Sequence, residues 1–352
     1  MIINGQQYTK IQLHRLCEEK LNAQNTLEWE KSIYLFIQNW LSNSTTLQVR
    51  TSGTTGTPKI ITVSKQQMIQ SALMTGEFFQ LKAGQNALLC LSANYIAGKM
   101  MIVRALVLKL NLIIIEPSSM PLSKLEIIHF AAMVPLQLHH LIFESKSPPN
   151  QIKTLIVGGG AVNQQLRKAI KNVDTKIFAT YGMTETLSHI AIQPLNGSQA
   201  SPYYKILEGI KITQDKRKCL VIHAFGKELV TNDRVIIHSE NTFQLLGRVD
   251  NIINTGGIKI IPEEIERKLE SLIMRRFFIS SIPDNKLENK IILLIEGSRF
   301  NNVELKQLHN NIKNKIVSKF ERPKQIYFAK QFIETPTGKI QRQATLDVIR
   351  AG

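Results

Sequence analysis

Short apolar runs alternate with helix-length amphipathic stretches through the first part of the 352-residue chain. Ala87–Leu91, Leu112–Ile115, Leu155–Val157 and Ile177–Ala179 are short, continuous runs that read as buried strands. Leu27–Leu41, Lys65–Gln80 and Ala97–Leu110 carry the helical period. Alternation of this kind leads to a layered α/β core. Beyond Leu220 the pattern changes to closely spaced strands, Leu220–His223, Arg234–His238 and Thr242–Leu246, which form a small β-rich subdomain ending near Arg248. The remainder has its own rhythm: a helix after Pro262, strands at Phe277–Ser281 and Ile291–Glu296, a helix at Val303–Phe320 and a strand at Gln325–Phe328. Pro262 suits a first helical turn, where its missing N–H costs nothing, and Glu263 and Glu264 suit that turn's positive end. The expected fold is therefore α/β: a large layered N-terminal domain, 1–248, with its β-rich subdomain, and a small α+β C-terminal domain, 249–352.

Composition narrows the function. No eighteen apolar residues run uninterrupted, and the opening MIINGQQYTK lacks a secretory layout, so the chain is read as cytoplasmic, without membrane insertion. Cys17, Cys90 and Cys219 lie far apart without metal-ligand spacing and read as reduced structural thiols. The formal charge of +17 suits polyanionic ligands, but the basic residues are scattered and no aromatics interleave with them. Charge alone does not choose among nucleic acid, a membrane surface and small nucleotides, and scattered charge of this kind usually marks a solvated surface, which argues against nucleic acid.

Four segments carry chemistry. Thr51, Ser52, Gly53, Thr54, Thr55, Gly56, Thr57, Pro58 and Lys59 are consecutive. The glycines let backbone N–H groups turn inward, the hydroxyls donate further hydrogen bonds and the lysine adds charge, so this loop is built to wrap an anion. It lacks the Walker A spacing. Downstream of a buried strand, Tyr181, Thr184, Glu185 and Thr186 place a ring that can stack on a purine beside a carboxylate that can hold Mg²⁺. Upstream, Gly158, Gly159 and Gly160 permit close approach to a flat ligand, or mark a simple turn. At the proposed boundary, Arg248 and Asp250 can hold opposing positions, and Gly256-Gly257 lets the chain pass tightly. Lys339 stands on a turn near the end, as a catalytic cation or a solvated charge.

These segments, in this order, resemble the adenylate-forming superfamily of acyl-CoA synthetases, peptide-synthetase adenylation domains and luciferases, over about Thr51 to Arg342. The resemblance implies that Thr51 to Lys59 holds the ATP phosphates, that Gly158 to Gly160 lies along the adenine and that Tyr181 stacks on it. It further implies that Thr184 contacts the α-phosphate and that Glu185 binds magnesium. Asp233 and Arg248 would take the ribose, with Asn232 standing where the family typically has glycine. Asp250 falls at the family's hinge, Lys339 matches the lysine that the mobile small domain inserts during adenylation, and Gly256-Gly257 matches the segment used for thioester formation with CoA. Full members have a large region ahead of the phosphate loop, whereas fifty residues precede it here, so a lobe is expected to be missing.

Within the superfamily, the run from Tyr181 to His189 and the spacing of Gly98 and Arg104 resemble the o-succinylbenzoate-CoA ligases of menaquinone biosynthesis, although Tyr95 stands where histidine is common. An arginine in an apolar helix suits a second substrate carboxylate; it can instead snorkel or pair with a structural acid. Thr186 and Ser188 are expected to border the acid. The alternatives are a ligase for another aryl or fatty acid, an adenylation enzyme loading a carrier protein, and an inactive nucleotide-binding protein.

Overall fold

The computed structural model describes residues 1–50, 60–121, 127–144, 149–335 and 338–351. The chain forms two compact units, one built from 1–162 and 169–210, the other from 163–168, 211–335 and 339 onward.

The first unit carries strands β1 (Ile2–Ile3), β2 (Gln6–Gln7), β3 (Thr46–Arg50), β4 (Ile60–Ser64), β5 (Asn86–Leu89), β6 (Asn111–Ile114), β7 (Ile128–Met133), β8 (Ile152–Val157), β9 (Lys176–Gly182), β10 (His189–Pro194) and β11 (Tyr204–Ile206). Its helices are α1 (Lys10–Asn22), α2 (Glu28–Leu41), α3 (Lys65–Phe79), α4 (Ile96–Val107) and α5 (Pro135–Phe143). The main sheet runs β2-β1-β6-β5-β7-β8-β9-β10-β11. From β1 through β9 its neighbours are parallel; β2, β10 and β11 add antiparallel edges. Parallel neighbours need crossovers, and α4 and α5 supply two of them. Coverage on both faces explains the unbroken apolar runs: Ala87, Leu88, Leu89, Leu155 and Val157 are all buried. Helix α1 opens on a capping box, in which Thr9 Oγ1 accepts from Gln12 N and Gln12 Oε1 from Thr9 N. The antiparallel hairpin β3–β4 stands outside the main sheet.

The second unit contains helices α6 (Gln164–Ala169), α7 (Pro262–Leu269), α8 (Asn302–Lys315) and α9 (Arg342–Ala351). An antiparallel meander of β12 (Lys211–Gln214), β13 (Cys219–Ala224), β14 (Lys227–Ser239) and β15 (Thr242–Arg248) is the β-rich part. There follow the hairpin β16 (Ile253–Thr255) with β17 (Ile258–Ile260), and a three-stranded sheet of β18 (Phe277–Asp284), β19 (Glu288–Glu296) and β20 (Gln325–Ala329). Ile291, Leu293 and Ile295 of β19 pack with Ile265, Leu269, Leu308 and Ile312 on one face, and Ile292 and Leu294 pack with Phe332 and Leu346 on the other. A strand covered on both faces has to be apolar throughout.

Some expected boundaries move. The helix expected over Val303–Phe320 stops at Lys315, because Ile316 turns to extended backbone and is fully buried, while the Arg322 guanidinium donates to the Ile316 and Val317 carbonyls. Strand β14 runs well beyond Arg234–His238 on its N-terminal side, because its partner β13 continues the ladder as far as Ala224. Among the described residues no helix is long and apolar enough to cross a membrane.

Gly98 sits in the first turn of α4, where a Cβ would overlap the Ser92 carbonyl. The atoms it would meet all belong to the Leu91–Ser92 backbone, which leaves no flexible group to yield, so Gly98→Ala is expected to lower unfolding stability by about 1–3 kcal/mol, read from denaturant midpoints.

Candidate active site

In parallel sheets, ligands are taken at the carboxyl ends of the strands. Gly158–Gly160 follow β8 and the Thr184–Thr186 turn follows β9, at that edge of the first unit. Gly158 N donates to Met133 O, anchoring the glycine run to the end of β7. A Cβ on Gly158 would press on Thr180 Oγ1 at 2.6 Å, while Gly159 adopts a left-handed φ of +83°. Glycine is thus favoured at 158 by space and at 159 by backbone conformation. Tyr181 is buried and meets Tyr204 edge-on, with ring centroids 5.9 Å apart.

Thr184, Glu185 and Thr186 form a single 3-10 turn. Thr184 and Thr186 are buried, whereas Glu185 is exposed and has no hydrogen-bond or ion-pair partner among the described residues. An exposed, unpartnered carboxylate offers the oxygen donors that Mg²⁺ prefers, so this position fits the ion. The Thr186 hydroxyl accepts from Met183 N and lies 3.0 and 2.8 Å from the Met183 and Ser188 carbonyls. It shapes the turn. Gly182 closes the loop, since a Cβ there would overlap the Ser188 carbonyl.

Arg104 neither snorkels nor pairs with a structural acid. It is 2% exposed, and no carboxylate lies within ion-pair distance among the described residues. Its Nε donates to Thr75 Oγ1 at 3.3 Å, one Nη donates to Ser188 Oγ and the other lies 3.5 Å from Met101 Sδ. His189 completes the cluster, with Nε2 3.4 Å from Thr75 Oγ1 and Nδ1 3.3 Å from Ser188 Oγ. Burial pulls Arg104 down to about 9, so it remains a cation at neutral pH. Burial and then the Arg104 charge hold His189 well below the usual histidine range, so its ring stays neutral. Five residues earlier on α4, Lys99 is a second desolvated cation. Burial brings it to about 8, its ammonium donates to the Ala93 carbonyl, and it lines a cavity of about 400 Å³ with Phe36, Asn39, Thr46 and Asn94.

The second unit gathers the remaining polar residues. Arg248 donates to Asp233 Oδ1 at 3.0 Å and to Asp250 Oδ2 at 2.6 Å. Asn232 Nδ2 donates to Asp250 Oδ1 at 2.8 Å and accepts at Oδ1 from Arg217 at 2.9 Å. Asn232 has no positive φ, so the position typical of glycine needs none here, and its amide ties strand β14 to Asp250. Lys339 sits on a turn closed by Thr335, whose N–H donates to the Lys339 carbonyl and whose hydroxyl accepts from Lys339 N. Loss of solvation holds the Lys339 ammonium below the usual lysine range; Arg248 and Arg342 push the same way and Asp233 opposes them. The turn is fixed from below: Arg342, three residues on, grips both oxygens of Glu266 on α7 at 2.6 and 2.9 Å. Gly256 carries φ of +57° and its N–H donates to Leu287 O, while Gly257 faces open space.

The structure thus brings Arg104 and Ser188 together in the first unit, and Asp233, Arg248, Asp250 and Lys339 in the second. Thr51, Ser52, Gly53, Thr54, Thr55, Gly56 and Lys59 lie outside the described residues.

The family described as AMP-binding enzyme matches residues 10–216, more than half of the chain. The chain belongs to that family. A solved acyl-CoA synthetase (AMP-forming)/AMP-acid ligase II-like protein from Dyadobacter fermentans is 38% identical, covering 96% of this chain and 98% of its own, with a TM-score of 0.63. The two chains are therefore of nearly equal extent. The 2-succinylbenzoate–CoA ligase of Lactococcus lactis is 24% identical over 84% of this chain and 69% of its own length, so this AMP-binding enzyme spans about two-thirds of that relative. The o-succinylbenzoate coenzyme A synthetase of Bacillus subtilis, solved with ATP and magnesium ion, shares the fold at a TM-score of 0.69 and 18% identity, over 85% of this chain and 69% of its own. This AMP-binding enzyme is an adenylate-forming protein of the acid–CoA ligase type.

Sequence reading passed over Thr75 and left His189 without a role. Nothing in sequence singles out Thr75, a helix-interior threonine whose partners lie 29 and 114 residues away.

A histidine held neutral by burial binds fewer protons than its unfolded counterpart. Its contribution is complete above the unfolded value near 6.5 and is lost as pH falls below it. Wild-type stability is expected to drop from pH 7 to 5, with a smaller contribution of the same sign from His129, and His189→Gln should blunt that drop in denaturant midpoints taken across the range.

Proposed function

We propose that this AMP-binding enzyme activates o-succinylbenzoate with ATP and transfers the acyl group to CoA. The observation that carries the choice of acid is Arg104: a buried guanidinium beside two hydroxyls, with no protein carboxylate among the described residues, is matched by an anionic group on the substrate. A simple aryl or fatty acid has no second carboxylate to meet it. The named relatives that act on this acid support the same reading.

In the first half-reaction a carboxylate oxygen of the acid attacks the α-phosphorus of ATP, the bond to the bridging oxygen breaks and pyrophosphate leaves. Two anions approach each other, so the residues assigned to this step are cationic or hydrogen-bond donors. Lys339 lies against the growing phosphate charge and Thr184 donates to the α-phosphate, contacts that can each supply roughly 10²- to 10³-fold in rate. Magnesium held by Glu185 would add charge neutralisation on the phosphates. Thr51, Ser52, Gly53, Thr54, Thr55, Gly56 and Lys59 cradle the β- and γ-phosphates, Gly158 to Gly160 and Tyr181 take the adenine, and Asp233 with Arg248 takes the ribose. The depressed Lys339 value follows from an ammonium kept partly desolvated before the phosphate arrives.

In the second half-reaction the CoA sulfur bonds to the acyl carbon, the bond from that carbon to AMP oxygen breaks, and the thiol proton is released. The residues 249–352 act here as a mobile domain turning about Asp250, which replaces Lys339 with Gly256-Gly257. The bonds from Arg248 and Asn232 to Asp250 are then the contacts that the turn must exchange. The enzyme is assigned to the cytoplasm, with no nucleic-acid partner.

Thioester formation measured with o-succinylbenzoate and with benzoate tests the acid assignment. Arg104→Ala is expected to raise KM for the dicarboxylate by about 10- to 100-fold while leaving benzoate turnover unchanged, the size of loss usual for a desolvated charge-assisted contact. Equal loss with both acids, or a wild-type preference for benzoate, would overturn the assignment.

A further inference from the structure

At the far end of α5 from the glycine run, His139, His140 and Glu144 place two imidazoles and a carboxylate so that one ligand atom of each lies within 4.8 Å of the others. Neither the acid nor the nucleotide chemistry uses them. His140 Nδ1 stands 2.6 Å from Glu144 Oε2, yet it is screened from solvent and makes no aligned hydrogen bond. With the ring neutral and its proton on Nε2, Nδ1 and the carboxylate oxygen turn lone pairs to one point, the arrangement a shared metal ion takes. The His139 ring lies on the same side of the helix as Phe143, with ring centroids 4.7 Å apart.

We propose that these three residues bind a divalent transition-metal ion, with zinc as the natural occupant. Two neutral imidazoles and one carboxylate are a donor set that zinc accepts, with water completing four-coordination. Metal–ligand bonds near 2.0–2.2 Å put neighbouring donors roughly 3 Å apart, so His140 and Glu144 need to open slightly and His139 to swing in, movements within side-chain torsions. The location favours a cation too: Glu144 caps the C-terminus of α5, its N–H donating to the His140 carbonyl, where the helix end carries partial negative charge. The same helix begins beside Gly159 and Gly160, whose added Cβ atoms would meet Val134 and Pro135 at 3.6 and 3.5 Å, so an ion at its last turn stiffens the element on which that glycine run rests.

Titration of the whole metal-free protein with cobalt(II), followed by visible absorption and by competition with zinc, tests the proposal. Saturation at one equivalent with the bands of a nitrogen and oxygen site is expected, since all three cysteines are buried elsewhere. His139→Gln and Glu144→Gln should each weaken binding by about tenfold or more, while His309→Gln, on exposed α8, leaves it unchanged. Thermal midpoints of the metal-free variants identify any that fail to fold, and for such a variant the other substitution is the one compared. Absence of saturable binding, or equal binding by wild type and both variants, would overturn the site.

Discussion

A guanidinium stripped of water with no carboxylate beside it among the described residues is the constraint around which this part of the first unit is arranged. Arg104 lies on α4 in a run whose neighbours Met100, Met101, Ile102, Val103 and Ala105 are all buried. Its charge is tolerated because Thr75 and Ser188 turn hydroxyl oxygens toward it and because His189 stays neutral beside them. Each of these depends on something further out. Ser188 is placed by the Thr186 turn, that turn closes only because position 182 is glycine, and α4 approaches the loop after β5 only because position 98 is glycine. One buried charge therefore explains several local choices that look unrelated along the chain.

The second unit meets a different demand, which is to hold in one place the lysine proposed to act on the phosphate. Rigidity comes from below, where Arg342 is locked to Glu266 with the Ile279 N–H on the same carboxylate. Burial pushes the Glu266 carboxyl upward and Arg342 opposes the shift, so the pair is held by mutual need. Asp233 and Arg248 act on Lys339 with opposite charges, Arg248 against its ammonium and Asp233 for it.

Much of this was legible in the sequence. The buried strands announced themselves by unbroken apolar runs, and Arg104 by a charge inside an apolar helix. Asp233 and Arg248 were assigned together by resemblance, and they meet as an ion pair across β14 and β15. What stayed hidden depends on partners distant in sequence. Thr75 looks like any helical threonine until β9 and β10 bring Ser188 and His189 against it. Asn232 looked like a departure from glycine, yet its backbone has ordinary φ and its amide reaches Asp250. The end of α8 was misplaced because the core's need for Ile316 overrides a helical pattern that continues past it.

The central claim, acid activation through an acyl adenylate in which Lys339 acts on the phosphate, is tested most directly by isotope exchange between pyrophosphate and ATP without CoA. Exchange that requires o-succinylbenzoate and magnesium, and that falls by about 10²- to 10³-fold in Lys339→Ala, is the result predicted. Lys339→Ala should still convert supplied acyl adenylate and CoA to thioester. No acid-dependent exchange in the wild type, or equal loss of both half-reactions in the variant, would contradict the account.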